Sequence, residues 1–254
     1  MSIFKKKRIN KSLTNAVFGR NVVHMTVCDS TNELAKRRRD MPHGTLFIAD
    51  MQTAGKGRNG RLWESEKKSG IYMSLLLKPN ISPDKISQIT LVAGLAVCRA
   101  LGCNTKIKWP NDVVIGARKV CGILTECVGE AVICGIGINA NTKSFPQELS
   151  DKATSLYIET GEKQDRDYIC ALIMNEFEQL YDVFEKDSFV SLRDEYEMLC
   201  ENIGRQVSLI DSRGTINAVA CGVSDDGELI VETEEGIETV NAGEVSVRGI
   251  YGYI

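Results

Sequence analysis

Apolar and polar positions organise the first two hundred residues into strand-like and helix-like stretches. VVHMTVCDS (22–30) reads as a strand running into a helix start. Ser30 and Glu33 there have the spacing of a capping box, and ELAKRRRD continues as a short helix. TLFIADMQT (45–53) and GIYMSLLLKP (70–79) read as strands. ISPDKISQITLVAGLAVCRALG (81–102) switches to helical spacing, with Ile86, Ile89, Val92, Ala93, Ala96 and Val97 on one face and Gly102 as the stop. TKIKWPNDVVIG (105–116) is a strand interrupted at Pro110, and KVCGILTECV (119–128) and EAVICGIGINAN (130–141) have the apolar density of neighbouring central strands. Residues 142–164 are polar and irregular apart from a short turn around Leu149–Tyr157, and helical spacing returns over 165–186 and 188–200. Beyond Ile203 the pattern becomes RQVSLID, GTINAVACGV, GELIVET, GIETV and VSVRGI, short strands with turns at Asp226–Gly227 and Glu235–Gly236. About fifty such residues fit a small closed barrel, with a boundary near Glu201–Gly204.

A chain of 254 residues suffices for one substantial core and a small second domain. Its formal charge of -3 argues against a protein built to coat nucleic acid. The charge is uneven: Lys5, Lys6, Lys7, Arg8 and Lys11 make a basic head, expected to be a solvated terminus, while the tail is acidic. Nine cysteines, an odd number without a C-x2-C pair, and two histidines give little support to a disulfide framework or a zinc site. Cysteines inside apolar runs suit a reducing compartment, and with no leader or membrane-length apolar run in the sequence a cytoplasmic protein is expected.

The stretch Gly55-Lys56-Gly57-Arg58-Asn59-Gly60 spells G-x-G-x-x-G, but RLWESEKKSG and another strand follow it where a dinucleotide fold needs a helix. A P-loop is excluded because its G-K-[S/T] ending is missing. What remains is chemistry: three glycines that expose backbone N–H groups, three cations (Lys56, Arg58 and Arg61) suited to an anion, and Trp63 able to cover an apolar ring. KWPND (108–112), Lys119 and the glycines of GIGINAN (135–141) lie on the predicted strands downstream. A lysine at a strand start steadies negative charge, and glycine within a buried strand marks close approach of a ligand or backbone. Each feature also has a plain structural reading, as a solvated connection, an exposed lysine or a strand-end asparagine. By themselves they specify an enzyme that handles an anion or a nucleotide.

Taken together, D-S-T-N at 29–32, Q-x-A-G-K-G-R-x-G-R-x-W at 52–63, K-W-P-N-D at 108–112, K-x-x-G-I-L-x-E at 119–126, G-x-G-I-N at 135–139 and G-E-V-S-x-R at 243–248 resemble the biotin–protein ligases, also called biotin–[acetyl-CoA-carboxylase] ligases. The resemblance implies an α+β fold: a catalytic domain like that of class II aminoacyl-tRNA synthetases, with a mixed sheet, over residues 22–202, and a small SH3-like β-barrel over 203–254. Residues 1–21 form a basic N-terminal extension too short for the DNA-binding domain of some relatives, so specific DNA binding is not expected. The implied activity activates biotin with ATP and Mg2+ to biotinyl-5′-AMP and transfers biotin to a lysine of a biotin carboxyl carrier protein. No membrane association is implied, and relatives occur as monomers and dimers, so a homodimer is among the expected states.

The resemblance also assigns residues. Ser30, Thr31, Asn32 and Gln52 would contact biotin; Gly55, Lys56, Gly57 and Arg58 would form the loop that closes over it; and Arg58 and Arg61 would hold phosphate oxygens. Trp63 would pack beside the adenine. Lys119, with Arg58, would be catalytic, near the biotin carboxylate and the α-phosphate. Asn111 and Asp112 would place the nucleotide, with Asp112 as the metal ligand. Gly122, Gly135 and Gly137 would line the biotin site, Asn139 would bond to adenine, and Arg248 would reach the nucleotide from the small domain. Lys56 stands where the family usually has arginine, keeping the charge and losing the planar fork. Two other readings are lipoate or octanoate ligation on the same broad fold, and a non-catalytic sensor of biotin or nucleotide.

Overall fold

The structure, a computed structural model, describes residues 4–102, 104–211, 214–243, 246–249 and 253. Seven strands form a mixed sheet: β1 (Val22–Met25), β2 (Thr45–Ala49), β3 (Ile71–Leu77), β4 (Lys106–Lys108), β5 (Asp112–Ile115), β6 (Arg118–Val128) and β7 (Ala131–Ile138), in the order β1-β2-β3-β7-β6-β5-β4. Only β1 and β2 run parallel. β6 and β7 are neighbours near the centre, as their apolar runs imply. The segment interrupted at Pro110 is a hairpin, β4 and β5 meeting at a turn with a cis Trp109–Pro110 bond.

The two faces of this sheet have different chemistry because alternate residues point opposite ways. Met73 and Leu75 of β3, Cys134 and Ile136 of β7, and Cys121 and Ile123 of β6 are buried in the main core. That core includes α3 (Ile89–Leu101), buried from Ile89 to Cys98 apart from Thr90, and α5 (Arg166–Asp187). α5 turns Ile169, Ile173, Phe177, Leu180 and Phe184 inward at helical spacing. The opposite face is apolar only at one end, where Ala35 of α2 (Thr31–Arg37) meets Phe47, Leu76, Ala131 and Ile133. Further along that face the strands carry Ser74, Gly122, Gly135 and Gly137, which leaves a hollow beside the start of α2.

The basic head is not a solvated tail. α1 (Lys6–Ser12) lies on α5, and Phe4, Ile9, Leu13 and Phe18 are buried. The Glu178 carboxylate accepts the backbone N–H groups of Ala16 (2.8 Å), Val17 (2.9 Å) and Phe18. The lysines face solvent while the apolar residues between them reach the core.

α4 (Leu156–Thr160) is capped by Ser155, and α6 (Val190–Leu199) leads to a second sheet. Its strands are β8 (Gln206–Asp211), β9 (Gly214–Val223), β10 (Leu229–Thr233), β11 (Gly236–Val240) and β12 (Ser246–Gly249), antiparallel in the order β11-β10-β9-β8-β12. The expectation of a closed SH3-like barrel is not met. The sheet is open, with β11 and β12 at its two edges and no pairing between them among the described residues. Val207, Ala220, Leu229 and Val231 join the same apolar cluster as α3 and α6 rather than closing around an interior of their own. Four of the five residues of β11 are exposed. A period of two shows that strands exist but not whether the last returns to the first. Trp109 fastens the sheet to the first by donating from its ring Nε1 to Gly227 O (3.0 Å). Glu244, Val245 and Ile250 of the closing motif and strand lie outside the described residues.

Candidate functional site

The hollow has a floor of glycine. Gly137 is paired with Tyr72 on one side and Gly122 on the other, and Gly135 with Ser74 and Leu124. A Cβ at Gly135 would lie 2.2 Å from Asn32 Oδ1, one at Gly137 2.7 Å from the Trp63 ring, and one at Gly122 2.8 Å from the same ring. With Asn32 and Trp63 where they stand, none of the three positions has room for a side chain. The wall is a polar chain from α2 and β3. Thr31 donates its N–H (2.7 Å) and its hydroxyl (3.1 Å) to Gln52 Oε1, and Gln52 Nε2 donates to Ser65 Oγ (3.0 Å). Ser74 donates to Asn32 Oδ1 (2.5 Å), and Asn32 Nδ2 donates to Leu124 O (3.1 Å) and Glu126 Oε2 (2.8 Å). Thr31, Asn32 and Ser74 are buried, so this donor and acceptor set is fixed before any ligand arrives.

Above the floor, the glycine-rich segment is a small hairpin rather than a helix start. Gly57 N–H donates to Arg61 O (2.7 Å), Trp63 N–H to Gly55 O (2.9 Å), and the tip turns through Asn59 (φ 54°) and Gly60 (φ 71°). Gly60 supplies a left-handed backbone that side chains disfavour. The hairpin is held on both flanks: Lys56 Nζ lies 2.7 Å from Glu33 Oε1, and Arg58 donates to Asn111 Oδ1 (3.1 Å) and to Ala242 O in the turn after β11. Trp63 lies over Gly122 and Gly137, with Lys119 Nζ 5.3 Å from its ring centre. The hollow beneath is small in this state, about 50 Å³.

A second cavity of about 350 Å³ adjoins it through Gly57, Arg58, Trp63, Asn111 and Lys119. Among the described residues its lining carries six cations (Arg58, Arg61, Lys108, Lys119, Lys152 and Arg248) against one carboxylate, Asp112. Lys119 Nζ is 2.6 Å from Asp112 Oδ1, and Tyr253 donates its hydroxyl to Asp112 Oδ2. Lys108 is buried, donates to Tyr253 O, and lies 3.6 Å from the Tyr253 ring centre. Burial pushes its pKa down to about 8, Asp112 pulling the other way and Lys119, Arg248 and Arg61 adding to the fall. Burial also lowers the Arg58 pKa, and Asp112 opposes it. A pocket so unbalanced in charge suits a polyanion.

The structure gathers Ser30, Thr31, Asn32, Gln52, Lys56, Gly57, Arg58, Trp63, Asn111, Lys119, Gly122, Gly135 and Gly137 around the hollow, and Arg61, Asp112 and Arg248 around the second cavity. Gly55 and Asn139 line neither. Gly55 closes the base of the hairpin, and Asn139 donates to Thr154 O (3.0 Å), pinning the segment after the central strand. The capping box is not formed: Ser30 stands at the start of α2 without a side-chain cap bond, and Glu33 turns to Lys36 and Lys56. Of the KRRR run, Arg37 makes a two-pronged pair with Asp29 (2.7 and 2.8 Å). Sequence reasoning missed Ser74, Lys108 as a separate cation, and Tyr253. A serine within IYMSLLL signals the first; nothing in the pattern signals the last.

Residues 24–141 match the biotin/lipoate A/B protein ligase family, and residues 203–248 match the biotin protein ligase C-terminal domain. The chain is 38% identical over 255 residues to the bifunctional ligase/repressor BirA of Bacillus spizizenii, covering 95% of this chain and 78% of that one. It is 28% identical over 211 residues to the biotin–[acetyl-CoA-carboxylase] ligase of Mycobacterium tuberculosis, covering 80% and 78%. Among solved structures it is similar to the biotin protein ligase of Aquifex aeolicus in complex with biotin and ATP, with a TM-score of 0.84 and 35% identity over 91% of this chain and 99% of that one.

Proposed function

The chain belongs to the biotin–protein ligase family, and from that premise we propose how its own residues carry the reaction. It is an ATP-dependent biotin ligase. A biotin carboxylate oxygen attacks the α-phosphorus of ATP, the bond to the β-phosphate breaks, and biotinyl-5′-AMP and pyrophosphate result. A lysine amine of a carboxyl carrier protein then attacks the anhydride carbonyl, forming an amide, releasing AMP and giving up a proton. The observation that carries this reading is the excess of cations, six to one among the described residues, in the cavity adjoining the glycine floor. Adenylation brings two anions together, and that encounter is repulsive unless fixed positive charge surrounds it.

In this reading the flat floor takes the ring system of biotin, while Thr31, Asn32 and Gln52 supply directed hydrogen bonds at its edge. Lys119 spans the two cavities, so its ammonium sits where carboxylate and α-phosphate meet. Arg58, Arg61, Lys108 and Arg248 hold the remaining phosphate oxygens, and Trp63 moves off the floor to cover the nucleotide. Asp112 would hold magnesium together with substrate phosphates, the ion supplying further charge neutralisation. Among the described residues no three His, Cys, Asp or Glu side chains converge, which fits an ion bound chiefly by the nucleotide. The hairpin shields the labile anhydride from water.

We read residues 22–202 as the catalytic domain and 203–254 as a C-terminal domain that lends Arg248 to the nucleotide. The setting is cytoplasmic, without sequence-specific DNA binding. No described helix is long and apolar enough to cross a membrane. Sedimentation distinguishes a monomer from a homodimer. The test of substrate is mass spectrometry of a carboxyl carrier domain incubated with the enzyme and ATP. Biotin is expected to add to one lysine; transfer of lipoate or octanoate instead, or of nothing, contradicts the reading.

A further inference from the structure

Lys56 and Glu33 are left over by this mechanism. Lys56 is the hairpin's unusual member, and Glu33 does not cap its helix. Their contact is one end of a continuous polar path. Lys56 Nζ and Lys36 Nζ both reach Glu33 Oε1 (2.7 and 2.9 Å), and Lys36 also reaches Glu126 Oε1 (2.7 Å). The other oxygen of Glu126 accepts from Asn32 (2.8 Å), and Asn32 Oδ1 accepts from Ser74. The Ser74 hydroxyl lies 2.8 Å from Thr31 Oγ1, Thr31 donates to Gln52, and Gln52 donates to Ser65. Lys56 and Ser65 flank the tip of the hairpin and Trp63, so the path begins and ends at the lid and passes along the wall of the floor.

We propose that Glu33 is a positioning residue for the ligase reaction: it latches the hairpin through Lys56 and ties lid closure to the side chains that line the biotin floor. Several observations support this. Glu33 is shared between a helix lysine and the loop lysine, and its carboxyl is held below the usual range first of all by Lys56. The latch is an ion pair of partly exposed groups, with Lys56 at 49% and Glu33 at 27%, so it is weak enough to open for substrate and sensitive to salt. A lysine suits it, because its compact ammonium meets one carboxylate oxygen while the planar fork of an arginine would compete for both. The other flank is held separately by Arg58 on Asn111, so losing Glu33 frees one side of the lid and leaves the phosphate side in place.

The latch rests on the ligase reading only for its adenylate readout, and a ligand-free measurement stands apart from it. Trypsin cleavage after Arg58 and Arg61 reports opening of the hairpin in the empty enzyme. Glu33→Gln is expected to speed that cleavage roughly threefold to tenfold at low salt, and to speed biotinyl-AMP release by a similar factor. In biotin-dependent pyrophosphate exchange the maximal rate is expected to stay within about twofold while the KM for biotin rises roughly threefold to tenfold, because the cations around the phosphates stay in place and only the hold on the hairpin is lost. Added salt is expected to accelerate wild-type cleavage and leave Glu33→Gln unmoved. Lys56→Met probes the same contact from the loop side, and the double variant is expected to cleave no faster than either single one. Wild-type rates in Glu33→Gln, or additive effects in the double variant, overturn the latch. Absence of exchange in wild-type enzyme overturns the ligase reading instead and leaves proteolysis to judge the latch.

Discussion

Gly135→Ala tests the glycine floor at its least forgiving point. The new methyl would sit 2.2 Å from Asn32 Oδ1 and 2.9 Å from its Cγ, distances that atoms do not tolerate. Asn32 is 4% exposed and is bonded to Ser74, Leu124 O and Glu126, so it cannot step aside without giving up those bonds. Two neutral hydrogen bonds at about 1 kcal/mol each and one to a carboxylate at about 1.5 kcal/mol sum to roughly 3.5 kcal/mol, of which about 3 kcal/mol remains after partial relaxation. For a chain of this size the melting temperature should fall by about 6–12 °C. Biotin affinity should fall by about tenfold or more if the wall bearing Asn32 contacts biotin as proposed, because that wall moves with Asn32. Calorimetric titration with biotin and a thermal melt measure both. Gly94→Ala is the control: its added carbon finds Ile123 Cδ1 at 3.8 Å, an ordinary contact inside α3, and should be neutral or stabilising by roughly 0.5–1 kcal/mol. A Gly135→Ala protein that melts within about 2 °C of wild type and binds biotin equally well refutes the reasoning.

Lys108→Met should remove a pH dependence of stability. Burial lowers the folded pKa from 10.5 to about 8, so between those values the unfolded chain holds the extra proton and wild-type stability rises with pH. Denaturant melts from pH 7 to 10.5 should show wild type gaining roughly 2–3 kcal/mol relative to Lys108→Met, and parallel curves would rule this out. Ile9→Ala, at a fully buried position under α5, should cost about 2–4 kcal/mol; a melt unchanged from wild type would mean that the basic head is not docked in solution. Trp109→Phe leaves Gly227 O without its donor and should cost about 1–3 kcal/mol, read by the same melts; no loss would mean that this bond does not fasten the second sheet.

Elements that bury one face or both announced themselves in the sequence. β3, β6, β7, α3 and α5 lie where periodicity put them because apolar burial sets both the pattern and the fold. The site was legible for a different reason. Glycines at 135 and 137 inside an apolar run have no use in a strand except close approach, and the cations of the hairpin have no use in a core. What did not show was everything decided by a distant partner. α1 is basic on its surface, and only Glu178 and the α5 face reveal why its apolar residues are buried. Glu33 has capping spacing, yet Lys56, 23 residues away, claims it. Tyr253 meets Asp112 across 141 residues. Barrel closure is likewise a property of two edges that no local pattern couples.

The central claim is that Lys119 brings carboxylate and phosphate together in a cation-rich cavity above a glycine floor. Biotin-dependent exchange of labelled pyrophosphate into ATP, measured on wild type and Lys119→Ala, tests it without any carrier protein. Exchange that requires biotin in wild type and falls by at least about a hundredfold in Lys119→Ala, with the melting temperature held within a few degrees, is the predicted result. Exchange in wild type that proceeds without biotin, or that survives intact in Lys119→Ala, would contradict the account.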